Sequence, residues 1–267
     1  MTTGHPMYLA MLADGPRGRQ GTRDYPGRMT SPTASTSDVV DLLALVAHLE
    51  ATAFLRLAGA AAAAPEPEQR LYLSRMAGAT LARQERVLTE LGRLDAAQAP
   101  EARMFTFDHV FDDYEARTAP SSWWEEIMKS YVGHGVAEDF CRIVVDAVDP
   151  QTRAIVCEVL DGGSASAESI ELVAAAARQD EVLAARLALW GRRLVGEAMS
   201  VVQSLLVENE FLARLLEAAI TRRDGDQAAL AAPGVAPEVV PEDRAAWLFS
   251  QLTTAHTRRM ERLGLAA

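Results

Sequence analysis

The sequence predicts an all-α protein, a helical bundle with additional helices towards its C-terminal end. Apolar residues recur at steps of three and four through long stretches, the period of a helix with one buried face. The chain is 49% hydrophobic but only 6% aromatic and is rich in Ala, Leu and Val, a composition that favours helices over sheets. No stretch alternates with the period of two that a half-buried strand requires. At 267 residues it is long enough to bury a substantial core.

Residues 1–37 read as a disordered tail, because Gly15-Pro16-Arg17-Gly18-Arg19 and the Ser/Thr/Pro run at 30–37 carry too little apolar surface to order themselves. Met29 offers an alternative start inside that tail. The bundle domain is expected over residues 38–265. A first helix begins after Ser37 as N-cap and runs to the alanine stretch 60–64, where Pro65 stops it. A second spans about 68–91 and ends at Gly92. A short helical piece at 105–115 precedes a third long helix, which opens on Ser122-Trp123-Trp124-Glu125, the spacing of a capping box, and closes at Asp149-Pro150. The fourth starts after that proline and is interrupted by Gly162-Gly163. The fifth covers about 181–219 with Trp190, Leu194, Ala198, Val201 and Leu205 on one face. A Gly/Pro-bearing link at 224–243 leads to a last helix at 244–263.

The net charge of −11 is concentrated in the middle of the chain, where residues 101–180 hold 16 acidic and 6 basic side chains. Such a protein lacks the basic footprint that grips phosphate backbones, which argues against nucleic acid as a partner. The Arg pairs 192/193, 222/223 and 258/259 read as solvated helix faces. Two cysteines, Cys141 and Cys157, lack metal-type spacing, and with no apolar run of membrane-spanning length the expectation is a reduced, cytoplasmic protein.

One residue breaks the helical pattern. Along the first helix Val39, Leu43, Val46, Glu50, Phe54 and Leu57 trace a single apolar face, and Glu50 sits in its middle. A carboxylate taken out of water is strongly destabilised unless it finds a metal, a hydrogen-bond donor or a proton. In helical bundles one known reason for such a residue is a di-iron centre, built from a Glu on each of two helices and a Glu-x-x-His pair on each of two others. No Glu-x-x-His lies in the second or fourth helix, since the five histidines are His5, His48, His109, His134 and His256.

Several segments carry a family resemblance: Glu50-Ala-Thr-Ala-Phe54, Arg117-Thr-Ala-Pro120, Tyr131-Val-Gly-His-Gly135 with Asp139-Phe140, Leu187-Ala-Leu-Trp-Gly-Arg-Arg-Leu-Val-Gly-Glu197, and Ala255-His-Thr-Arg-Arg-Met260. Together they resemble actinobacterial ferritin-like proteins related to the MiaE-like tRNA-modifying di-iron hydroxylases, over about residues 38–265. The resemblance implies a ferritin-like four-helix bundle and an iron site. It would place a ligand at Glu50, and on the second helix a pair falling on Ala77 and Thr80 or on Thr80 and Arg83. The third helix shows His134 where that family has an Asp, with Glu138 and Asp139 one turn on. On the fourth helix the pair falls on Gly162 and Ala165. Most metal-ligand positions therefore read as substituted.

The residues leave two readings of Glu50. It is either a metal ligand with His134, Glu138 and Asp139, or the centre of an inward polar network with Thr80 and Gln84 on the facing helix. The greasier stripe Met128, Val132, Val136, Phe140 and Ile143 would turn His134 outward. His48, His256 and its neighbouring arginines are expected in solvent, and Glu197 either points inward or pairs with Arg193 at i−4. The favoured function is a ferritin-like scaffold with a degenerate di-iron site, non-catalytic and without a cofactor. It would act through a ligand or a protein partner, its own copy included, with side chains such as Leu81 and Tyr131 filling the emptied centre. The alternative is an iron-dependent hydroxylase of the MiaE-like kind, acting on tRNA and using Glu50, His134, Glu138 or Asp139 with Glu158 or Glu168. A third reading docks the basic tail (Arg17, Arg19, Arg23, Arg28) on an acidic partner.

Overall fold

Helices dominate the computed structural model, which describes residues 34–162, 167–230 and 244–267, and no strand occurs among the described residues. Residues 1–33, including the basic arm, lie outside them, as do Gly163, Ala165 and most of the 224–243 link.

Helix α1 (Thr36–Ala62) and α2 (Pro67–Leu94) form a long hairpin joined by a short turn. The N-cap of α1 is Ser35 and not Ser37, its hydroxyl accepting from the Asp38 amide at 3.1 Å. From Leu42 to Glu50 every residue of α1 is buried, so that half is enclosed on all sides. Helix α2 runs past Gly92, because a helix-interior glycine costs only about 1 kcal/mol and Leu91 and Leu88 remain packed. A strap follows, made of α3 (Pro100–Met104), a single 3₁₀ turn and α4 (Asp112–Arg117), whose inward residues include Phe107 and Tyr114.

The centre of the molecule is one continuous helix assembled from α5 (Trp123–Met128), a π turn (Lys129–Gly133) and α6 (His134–Val144). Ser122 caps it, accepting from the Glu125 amide at 3.3 Å. Glu125 does not complete a capping box, because its carboxylate accepts from the Ser121 amide and hydroxyl instead. Helices α1, α7 (Pro150–Asp161), α9 (Glu181–Glu208), α10 (Glu210–Leu230) and α11 (Arg244–Arg262) all pack on it. Residues 127–136 of this helix are consequently buried all round. Helix α8 (Ala167–Gln179) packs on α9 and on the start of the central helix.

The predicted fifth helix is two helices. Asn209 leaves helical geometry (φ −123°, ψ 92°) and separates α9 from α10, which turns back onto α1 and brings Arg214 to Asp38 at 2.5 Å. No Gly or Pro marks that break. Helix α10 also extends to Leu230, beyond the expected start of the link. The α9 face holds Leu187, Trp190, Leu194, Ala198, Val202 and Leu205, with Val201 only half-buried.

Candidate functional site

Glu50 is completely buried, between α1, α2 and the central helix. Its partner is Arg83 of α2, whose Nε donates to Glu50 Oε2 at 2.9 Å. The other carboxylate oxygen, Oε1, has no hydrogen-bond partner among the described residues. Burial pushes the Glu50 carboxyl up to about 7, an effect that Arg83 opposes and the nearby Glu138 reinforces.

Thr80 and Gln84 do not hold Glu50. The Thr80 hydroxyl donates to the carbonyl of Ala77 at 2.6 Å, and the Gln84 amide reaches the Ala47 carbonyl and the Met104 sulfur. A threonine in a helix satisfies its hydroxyl on its own preceding turn, which removes it as a donor across the interface. Arg83 stands on the flank of the inward stripe, and its long stem carries the guanidinium inward from there. Space for that stem comes from Gly162 at the end of α7, where a Cβ would lie 3.1 Å from Arg83 Cδ. Ala165 is outside the described residues.

His134 is buried, with 2% exposure, contrary to the expected outward orientation. The reason is that its ring turns towards α1 and α2, where Ala53, Arg56, Leu57 and Arg83 lie around it. Burial, helped by Arg56, Arg83 and Arg259, drives its imidazole down to about 3, so the ring is neutral. His134 Nε2 lies 3.5 Å from Glu138 Oε1, and neither ring nitrogen has a hydrogen-bond partner among the described residues. Asp139 points away from this group and binds Arg259 of α11 at 2.6 Å. Arg259 passes over Gly135, donating to its carbonyl at 2.7 Å, where any Cβ would meet the guanidinium at 2.4 Å. Glu138 thus lies near both Glu50 and His134, while Asp139 is drawn to Arg259. Among the described residues, no three His, Cys, Asp or Glu side chains stand together as a metal-binding group.

Beside His134 is a second charged cluster that the sequence did not signal. Glu115 of the strap binds Arg56 and also Lys129, the latter at 2.6 Å. Lys129, the chain's single lysine, is 2% exposed, and both cations lie 5.3 Å from the Tyr114 ring centre. Burial raises a carboxyl, but here Arg56 and Lys129 outweigh it and hold Glu115 below its ordinary range. The Tyr114 hydroxyl lies against Gly133 in the π turn, where a Cβ would be only 1.8 Å away.

The remaining expectations fare unevenly. His48 and His256, expected in solvent, are both buried: His48 stacks on Phe111 with ring centres 5.5 Å apart, and His256 lies on the inner face of α11 with 3% exposure. Glu197 pairs with Arg117 of the strap at 3.4 Å, while Arg193 lies over Trp190. Glu158 pairs with Arg86 on the surface and Glu168 is exposed, so neither joins Glu50. Tyr131 is buried as expected, but Leu81 is 42% exposed and fills no internal space. Among the described residues no helix is long and apolar enough to cross a membrane.

The family model for ferritin-like domains of actinomycetes matches residues 34–219, which takes in Glu50, Arg83, the strap and the central helix. The chain belongs to that family. No curated protein matches it.

Proposed function

We propose that this ferritin-like protein is non-catalytic and acts by binding, with Arg83 supplying inside the bundle the positive charge that a metal supplies in a di-iron member of the fold. The observation that carries this reading is the guanidinium Nε 2.9 Å from Glu50 Oε2, deep between α1 and α2. A di-iron centre asks for four carboxylates and two histidines. Here α2 contributes an arginine at the level of Glu50, and α7 ends in a glycine that accommodates it. The residues present do not fit that cofactor. Arg83 and Glu50 would serve as a fixed polar pin between two helices. Elemental analysis of protein expressed in iron- and manganese-supplemented medium tests the proposal. Metal far below stoichiometric is expected, and stoichiometric iron would overturn it.

A second reading, an iron-dependent hydroxylase, draws on a separate observation. Glu50 Oε1 and both His134 nitrogens are buried without hydrogen-bond partners among the described residues, and Glu138 is adjacent to His134. Under that reading Glu50→Ala and His134→Ala would each abolish iron retention. Under the first, neither changes metal content.

A further inference from the structure

One cavity is not accounted for by the Glu50–Arg83 pair. It lies between α1, the strap, the central helix and α9, and its volume is about 30 Å³. Leu45, Leu49, Phe140, Val202 and Leu205 make most of its wall apolar. Three polar side chains interrupt that wall, Arg56, Tyr114 and His134, and only Arg56 is satisfied, by Glu115. Among the described residues the Tyr114 hydroxyl and both His134 ring nitrogens have no hydrogen-bond partner, although these side chains are 3% and 2% exposed.

A buried polar group left unpaired costs about 1–3 kcal/mol. Two such groups in one apolar wall match the make-up of a small-molecule site, which is mostly hydrophobic with a few convergent hydrogen-bonding groups. We propose that this cavity binds a small neutral molecule with an apolar body and one hydroxyl or carbonyl group, whose head is held by His134 and the Tyr114 hydroxyl. The proposal gives a ligand to the binding reading above and rests on it.

The charges around the cavity argue for a neutral ligand. Arg56 is matched by Glu115, and Arg83 by Glu50, so an anion would find no free cation and would bring an uncompensated charge into the interior. Neutral imidazole offers one donor and one acceptor, and a phenol-type hydroxyl can do both. A hydroxyl between His134 and Tyr114 can therefore donate to one and accept from the other. As it stands the cavity has room for about two water molecules. A larger body is accommodated by outward movement of Phe111, with Tyr114, its neighbour in the strap, staying in place to hold the head. Their strap is tied to α1 and the central helix through Glu115, whose side chain is 42% exposed.

The test uses the full chain with phenol as the probe and toluene as its hydroxyl-free counterpart. Binding is followed by saturation of the methyl resonances of Leu45, Leu49 and Val202. The expected result is saturable phenol binding at least tenfold tighter than toluene. It should weaken threefold or more in Tyr114→Phe, a variant that removes only an unpartnered hydroxyl and so should fold. His134→Phe should remove the preference for phenol over toluene. Two results overturn the proposal: no saturable shift, meaning ordered water only, or equal affinity for both probes that Tyr114→Phe leaves unchanged. Metal content is measured on the same samples. Bound iron with the phenol response intact would defeat the metal-free reading alone, and metal-free protein without a phenol response would defeat this proposal alone.

Discussion

Replacing Glu50 with glutamine isolates the energetic consequence of burying a carboxylate against Arg83. In the folded protein the Glu50 carboxyl stands at about 7 against an ordinary 4.5, chiefly because it is buried. Each tenfold change in proton affinity is worth about 1.4 kcal/mol. Keeping Glu50 ionised inside the bundle therefore costs ~3 kcal/mol, after the attraction of Arg83 has been counted. Between pH 4.5 and 7 the folded state retains a proton that the unfolded chain has released, so this group makes stability fall as pH rises. The penalty is absent below that window and complete above it. The glutamine side chain cannot ionise and is close in shape to the protonated acid. Urea denaturation of both proteins should show the stability difference moving in favour of Glu50→Gln by about 2–3 kcal/mol between pH 5 and pH 8. A difference that stays flat would mean that Glu50 titrates as an exposed acid and that its burial is wrongly described. A difference of the opposite sign would mean that the ionised carboxylate stabilises the fold, as a metal ligand or a much stronger ion pair would.

Other perturbations test neighbouring parts of the account. Gly133→Ala should lower stability by about 1–3 kcal/mol, because a Cβ there meets the Tyr114 hydroxyl at 1.8 Å; Tyr114→Phe in the same chain should restore part of the loss, and no recovery in thermal melts would refute the contact. Glu115→Gln weakens the anchor of Arg56 and the buried Lys129 and should cost roughly 1–3 kcal/mol. Adding Lys129→Met should return much of that, unless the pair is dispensable. His134 and His256, held down to about 3 and about 4 by burial, give up stability as pH falls below 6.5, since the unfolded chain then takes up protons that the fold refuses. Their ring resonances should stay neutral at pH ~5.5, and titration near 6.5 would contradict the burial. Cys141 is buried with its thiol pushed up to about 12, whereas Cys157 is half-buried. A thiol reagent should label one cysteine in the native chain and both after denaturation.

Much of the scaffold was legible because its punctuation is local. Pro65, Ser122 and Pro150 mark helix ends through missing donors or capping oxygens, and those ends lie within a few residues of expectation. The break at Asn209 was not legible, since asparagine is tolerated within helices and only the return of α10 onto α1 shows why the chain turns there. The π turn likewise leaves no sequence mark; its signature is the contact between Gly133 and Tyr114 of the strap. Glu50 stood out because it interrupts an apolar stripe. Its partner did not, because a stripe predicts which Cβ atoms face inward and not how far an arginine on the flank can reach. The available signal was charge: a buried carboxylate asks for a cation, and Arg83 is the basic residue at its level of α2. His134 was assigned outward by comparing stripes on one helix. That comparison fails for a helix enclosed by five others, where every side faces protein.

The most direct test of the central claim is a crystal structure of protein soaked in ferrous iron, with anomalous data collected at the iron edge. The account predicts Arg83 on Glu50 and no anomalous peak within the bundle. A peak bounded by Glu50, His134 and Glu138, with Arg83 swung away from the carboxylate, would contradict it.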